Sequence, residues 1–235
     1  MSVPTTIVIS AGGRGSRLGM GRNKALVEVD GKSLIRWQLE LLPRDTPVVV
    51  GLGYQSEQVM AEARAVRSDV AFVVNSTYET TGAAATLIKG AALAFGRVLS
   101  LPADLIVHPA DIRMMLCREV DTAGIVPLTS VDPVSVRTTQ LGDHLMATGA
   151  VRYTAQDRQG MYEWSGLVNY DPLTTRLGHS QGHVFEYITP GFPMAAKVIR
   201  ARELDFAEEL PAMVSWLRQL SVLGHERRDA VHADT

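Results

Sequence analysis

The chain has 235 residues, 46% of them hydrophobic and 20% charged, with a formal net charge of −2. That length can bury a substantial core, and the near-neutral balance argues against a general nucleic-acid binder, whose footprint is a basic excess. The single cysteine, Cys117, excludes an internal disulfide and fits a reducing compartment. No apolar run approaches a membrane span, and no charged segment leads into an apolar signal core, so a cytoplasmic protein with no membrane partner is expected.

In chain order, β-branched runs at 6–10 (TIVIS), 47–51 (PVVVG), 70–75 (VAFVVN) and 98–101 (VLSL) read as strands. Helical patterns at 32–42, 56–66 and 84–95 lie between them. Such alternation predicts βαβ units on a largely parallel sheet, with ligands bound at the carboxyl ends of its strands. From residue 123 the segments AGIVPLTS, VSVRTT, HLMATGAV and YEWSGLVNY read as an antiparallel extension, 123–200, covering the site. One of its edge strands offers a contact for a possible homodimer. Helical periodicity returns at 206–223, with Pro211 in a first turn or at a kink, and the polar end 224–235 is expected to fray. Without repeats or a linker, 1–223 reads as one domain.

Two strand ends draw attention. After TIVIS comes AGGRGSRLGMGRNK. Glycines alone would suit a tight turn. A GxGxxG fingerprint fails because Leu18 stands where its third glycine belongs, and GxxxxGK[ST] fails because Asn23 precedes Lys24 and Ala25 follows it. What remains is a long loop, Ala11, Gly12, Gly13, Arg14, Gly15 and Ser16, whose amides can nest an anion. Arg17 and Lys24 would add a guanidinium fork and an ammonium point charge.

The stretch SAGGRGSRLGMGRNKALVEVDGKSLI resembles the signature of the nucleotidyltransferases that join a nucleoside triphosphate to a phosphorylated sugar or alcohol, with Ser10 and Gly12 as mild departures. The resemblance implies a nucleotide-diphospho-sugar transferase type of α/β fold: a Rossmann-like three-layer αβα arrangement with a mostly parallel sheet. It also implies catalytic roles for Arg17 and Lys24 and a Mg²⁺ cofactor. The magnesium aspartate that ends a strand in this family corresponds to Asp104 in VLSLPADLI, with Asp111 in PADIRMML as a rival that suits a helix cap. The second metal position falls on Asp205 in RELDFAEEL, where a capping box with Glu208 is the competing reading.

Further segments fit the same resemblance. In NSTYETTGAAATL, Asn75, Thr81, Gly82 and Ala83 would line the nucleoside and Tyr78 the acceptor, although ordinary turn chemistry and a core aromatic would explain these residues too. In YEWSG, Glu163 and Trp164 would face the acceptor, Trp164 including as a surface for a quaternary amine, or would be a solvated acid and a buried ring. The histidines form no metal-binding pair, and His179 and His183 fall in a turn near the acceptor side.

The implied reaction is attack of an acceptor phosphate on the α-phosphorus, with pyrophosphate leaving. It needs alignment and charge neutralisation rather than a nucleophilic triad. The pattern is closest to the small phosphocholine-type cytidylyltransferases, which favours CTP. The spacing RLGMGRNK instead resembles molybdopterin guanylyl and cytidylyl transferases. A nucleotide-binding regulatory module without turnover is the reading from another class.

Overall fold

The computed structural model of the chain describes residues 3–15, 18–129, 133–152 and 161–233, with side chains to Ser221. Among these residues a nine-stranded sheet runs, edge to edge, β5 (Ala71–Val74), β4 (Val48–Leu52), β1 (Thr5–Ala11), β6 (Arg97–Pro102), β11 (Tyr162–Tyr170), β8 (Thr122–Pro127), β12 (Met194–Val198), β10 (His144–Arg152) and β9 (Val134–Leu141). Its first part comprises β1 (Thr5–Ala11), β4 (Val48–Leu52), β5 (Ala71–Val74) and β6 (Arg97–Pro102), all mutually parallel. β2 (Glu28–Val29) and β3 (Lys32–Ser33) form a small separate hairpin.

The apolar runs follow from burial on both faces. Ile7, Val8 and Ile9 are each fully buried. Ile7 and Ile9 pack with α1 (Leu34–Leu41), α2 (Ser56–Arg64) and α4 (Pro109–Leu116), through Ile35, Leu39, Val59, Ala63, Ile112 and Met115. Val8 faces the other way, toward Ala84 and Leu87 of α3 (Tyr78–Ala91) and Ile188 of α5 (Val184–Ile188). A strand covered on both sides reads as a continuous hydrophobic stretch without alternation.

The second part of the sheet departs from a mostly parallel plan. β11 (Tyr162–Tyr170) pairs antiparallel with β6, with β8 (Thr122–Pro127) and with β9 (Val134–Leu141). β10 (His144–Arg152) is antiparallel to β9 and to β12 (Met194–Val198), whereas β12 runs parallel to β8. The sheet is therefore mixed. β11 is the seam between the two parts, and its register shifts between Trp164 and Val168.

Three features differ from the sequence reading. α3 starts at Tyr78 because YETT makes a first helical turn before Gly82, at φ 74° and ψ −174°, breaks the helix. Two strands come from a stretch with no clear alternation, β12 and the three-residue β13 (Ala201–Glu203), which pairs antiparallel with β7 (Leu105–Val107). The last helix, α6 (Leu210–Ala233), continues through the polar end expected to fray. Its buried Met213, Leu217 and Leu220 share an apolar cluster with Leu34, Trp37 and Leu204. None of the described helices is long and apolar enough to cross a membrane.

Candidate active site

The loop after β1 is held from beneath by one side chain. Asn23 is 1% exposed, and its Nδ2 donates to the carbonyls of Ala11 and Tyr54, both at 2.7 Å. Its Oδ1 accepts from the amide of Ala25 at 2.9 Å, starting the short 3-10 turn Lys24–Leu26, while its own N–H donates to Gln55 Oε1 at 2.8 Å. Asn23 thus ties the end of β1 to the loop after β4 and fixes the backbone that presents Lys24. Replacing Asn23 with Ala leaves two buried carbonyls without a partner and removes a cap. A loss of about 2–4 kcal/mol is expected, measurable by urea unfolding.

Lys24 reaches across the cleft to the acidic side. Its Nζ donates to Asp104 Oδ2 at 2.7 Å and also to Asp205 Oδ1. The three side chains are 15%, 16% and 19% exposed. Burial alone would weaken the ammonium's hold on its proton, but the two carboxylates outweigh it and raise the Lys24 pKa above its ordinary value.

The acids meet through backbone pairing. Asp104 sits in the turn between β6 and β7, and β13 lies against β7 with Glu203 opposite Leu105. The Leu204 amide then donates to the Asp104 carbonyl at 3.0 Å. Asp104, Glu203 and Asp205 each offer an oxygen, all within 4.8 Å of one another. Such a set of carboxylate oxygens suits a hard divalent cation. Glu203 was not singled out in the sequence; the signal for it is Glu-Leu-Asp, two acids flanking a leucine that is fully buried.

The rival acids are otherwise engaged. Asp111 lies in the first turn of α4, but the cap there is His108, whose Nδ1 accepts from the Ala110 amide at 3.2 Å; Asp111 instead accepts from Arg200, at 2.8 Å from the terminal nitrogen and 2.9 Å from Nε. Its partial burial would raise its pKa, but Arg200 prevails and lowers it. At the start of the last helix the cap acid is Glu209, not Glu208. Its Oε2 accepts from the amides of Asp205 and Phe206 at 2.7 and 3.0 Å. The capping demand is met one turn on, which leaves the Asp205 carboxylate directed at Lys24.

A cleft of about 540 Å³ joins these groups. Ala11, Gly12, Gly13, Arg14 and Gly15 line one side of it, with Tyr78, Gly82 and Ala83 from α3. Arg14 is tethered to Glu79 at 2.6 Å and lies 5.5 Å from the Tyr54 ring centre. Ser16 and Arg17 lie outside the described residues. Asn75 and Thr81 are not among the cleft-lining residues. Asn75 is fully buried and donates to the hydroxyls of Thr81 at 3.0 Å and Thr86 at 3.1 Å. Thr86 in turn fills the space beside Gly12, where an added Cβ would stand 2.7 Å from its hydroxyl.

The far side of the cleft is built by β11 and α5. Glu163, 6% exposed, lines it together with Trp164, whose ring centre is 6.2 Å from that of Phe192. Gly166, at φ 81°, lets β11 pass the end of β6: a Cβ there would meet Pro102 at 2.3 Å. His183, stacked on Phe185 at 5.7 Å, and Arg152 also face this space and were not identified as site residues. The segment before α5 is anchored on α3, where the Ala84 amide donates to the Gly182 carbonyl and the Gly182 amide to that of Thr81, both at 3.1 Å.

The model of the MobA-like NTP transferase domain family matches residues 7–163, from β1 into the strand that carries Glu163. The chain belongs to this family. It is a nucleotidyltransferase. Solved structures share the fold of this MobA-like transferase at low identity. The inositol-1-phosphate CTP transferase of T. maritima superposes with a TM-score of 0.69 at 13% identity, covering 94% of this chain and 97% of its own. The CTP:phosphocholine cytidylyltransferase of Streptococcus pneumoniae gives 0.68 at 16% identity, covering 91% and 99%. HddC of Yersinia pseudotuberculosis, complexed with GMP-PN, gives 0.66 at 17% identity, covering 92% and 99%. No curated protein sequence matches the transferase significantly.

Proposed function

We propose that the chain transfers a nucleotidyl group, with CTP favoured, from a nucleoside triphosphate to a phosphorylated small alcohol or a sugar 1-phosphate. One observation carries this reading: the glycine loop, Lys24 and the acids Asp104, Glu203 and Asp205 converge at one cleft, whose other wall is Glu163, Trp164 and His183. Its volume is in the range of small-molecule sites. Two similar structures bear the names of CTP-dependent transferases, which supports the choice of base and of acceptor class.

In this reading the amides from Ala11 to Gly15 hold the triphosphate with Ser16 and Arg17, and Gly82 and Ala83 admit the nucleoside. Tyr78, Glu163 and Trp164 orient the acceptor. An acceptor phosphate oxygen forms a bond to the α-phosphorus, and the bond from that phosphorus to the β-bridging oxygen breaks. Both electrons leave with pyrophosphate, and no proton need be removed from the nucleophile. Lys24 stabilises the charge that builds on the α-phosphoryl oxygens. Asp104 and Asp205, joined by Glu203, would hold Mg²⁺, which neutralises phosphate charge and fixes the line of attack. Residues 1–223 act as one catalytic domain, with 123–200 on the acceptor side and 224–235 as a polar tail. We place the enzyme in the cytoplasm, with neither nucleic acid nor membrane as a partner, and with a homodimer compatible with the sheet edge.

A molybdopterin nucleotidyl acceptor is the second reading, favoured by the family's MobA-like character and the short run from Arg17 to Lys24. A screen of pyrophosphate release decides between them. It pairs each nucleoside triphosphate with phosphocholine, inositol 1-phosphate, sugar 1-phosphates, polyol phosphates and molybdopterin. CTP with an alcohol or sugar phosphate is expected to give the highest turnover. Turnover with molybdopterin alone would replace the first reading, and none with any pair would favour a binding-only module.

A further inference from the structure

Gln38 is a polar residue on the buried face of α1, 3% exposed, alongside the fully buried Leu34, Ile35 and Leu39. Burying a primary amide in such company is costly unless its hydrogen bonds are made. Its Nε2 donates to two carbonyls, those of Pro102 at 2.6 Å and Leu105 at 2.7 Å. Two acceptors facing one end of the amide settle which atom is nitrogen. Among the described residues Oε1 has no hydrogen-bond partner. The residue therefore keeps a buried acceptor unsatisfied while placing both donor hydrogens.

Those two carbonyls flank a single turn. Pro102 ends β6, Leu105 begins β7, and the residues between are Ala103 and Asp104. The rest of the turn is fixed by the Ala103 amide, which donates to the Ser10 carbonyl at 3.3 Å, and by the Asp104 carbonyl, which accepts from Leu204. Gln38 closes its open side. The same helix packs through Ile35 and Leu39 in one apolar cluster with Ala25 and Leu26 of the turn that begins at Lys24, so it connects the lysine-bearing segment to the aspartate-bearing turn through the core.

We propose that Gln38 is a positioning residue that sets the Asp104 carboxylate for divalent-cation binding, an inference that rests on reading Asp104, Glu203 and Asp205 as the metal site. It touches no substrate and acts through the backbone. Loss of an outer partner of a metal ligand typically weakens metal affinity by about ten- to a hundredfold.

The test is the affinity of the intact protein for Mn²⁺ alone, followed by electron paramagnetic resonance of the free ion. The variants are Gln38→Met and Gln38→Leu, which fill the space without donating. Trp37→Phe is the control: it removes a neighbouring buried bond of the same helix, from Trp37 Nε1 to the Val29 carbonyl at 2.8 Å. Both Gln38 variants are expected to bind Mn²⁺ about tenfold more weakly, and Trp37→Phe to bind as the parent does. Parental affinity in a folded Gln38 variant overturns the proposal, as does equal weakening by Trp37→Phe. Failure of both Gln38 variants to fold assigns the residue to stability and overturns it too. An affinity in the parent that is insensitive to Asp104→Asn overturns the metal reading itself, and the positioning role with it.

Discussion

Asp104→Asn is expected to lower pyrophosphate release by about a thousandfold, the scale of losing a principal charge-stabilising group at a phosphoryl centre. Asp205→Asn is expected to do the same. Both carboxylates contact Lys24 and belong to the group of three acids, so neither loss is made good by a neighbour. Asp111→Asn is the comparison. It breaks the paired contact with Arg200 near the start of α4, and because Arg200 is largely exposed, turnover should stay within about twofold. Steady-state rates at saturating nucleotide and graded Mg²⁺ separate these outcomes. Damage from Asp111→Asn with Asp104→Asn harmless would transfer the role to α4.

The second large effect is at Lys24. Lys24→Met keeps the length of the side chain and removes its charge. Turnover is expected to fall by about a hundred- to a thousandfold, while nucleotide affinity changes by less than about tenfold because the loop amides remain. The comparison is single-turnover rate against equilibrium binding of CTP. Unchanged turnover would remove Lys24 from the chemistry. A collapse of binding with turnover per bound nucleotide intact would make it a ground-state contact instead.

The inner parallel strands β1, β4 and β6 were legible in the sequence because they are buried along nearly their whole length and rich in apolar, largely β-branched residues; TIVIS became β1 with one residue added at each end. YEWSGLVNY matches β11 in both limits. What escaped was whatever depends on distant partners. Asn23 looked like a mismatch to a phosphate-loop motif, yet its partners Ala11 and Tyr54 lie 12 and 31 residues away. Gln38 sits in an ordinary helical pattern, and its partners are 64 and 67 residues along the chain. Glu203 lies on a three-residue strand that exists because β7 offers it a ladder, which no local propensity announces. Asn75 shows the reverse limit: Asn in a turn before small residues suits either a ligand contact or a scaffold, and here it is bonded inside the scaffold.

The order in which these groups occur along the chain bears on synthesis. Lys24 is 80 residues from Asp104 and 181 from Asp205. A ribosome completing this chain releases the glycine loop and its lysine early, and the first carboxylate well before the second. Until the strand carrying Glu203 has emerged and laid itself on β7, the loop faces only Asp104 of the three acids. Under the proposed roles, a nascent chain would therefore have its nucleotide loop in place before it has the means to turn a nucleotide over. On the same roles, competence would arrive in one late step, when the last short strand docks on β7.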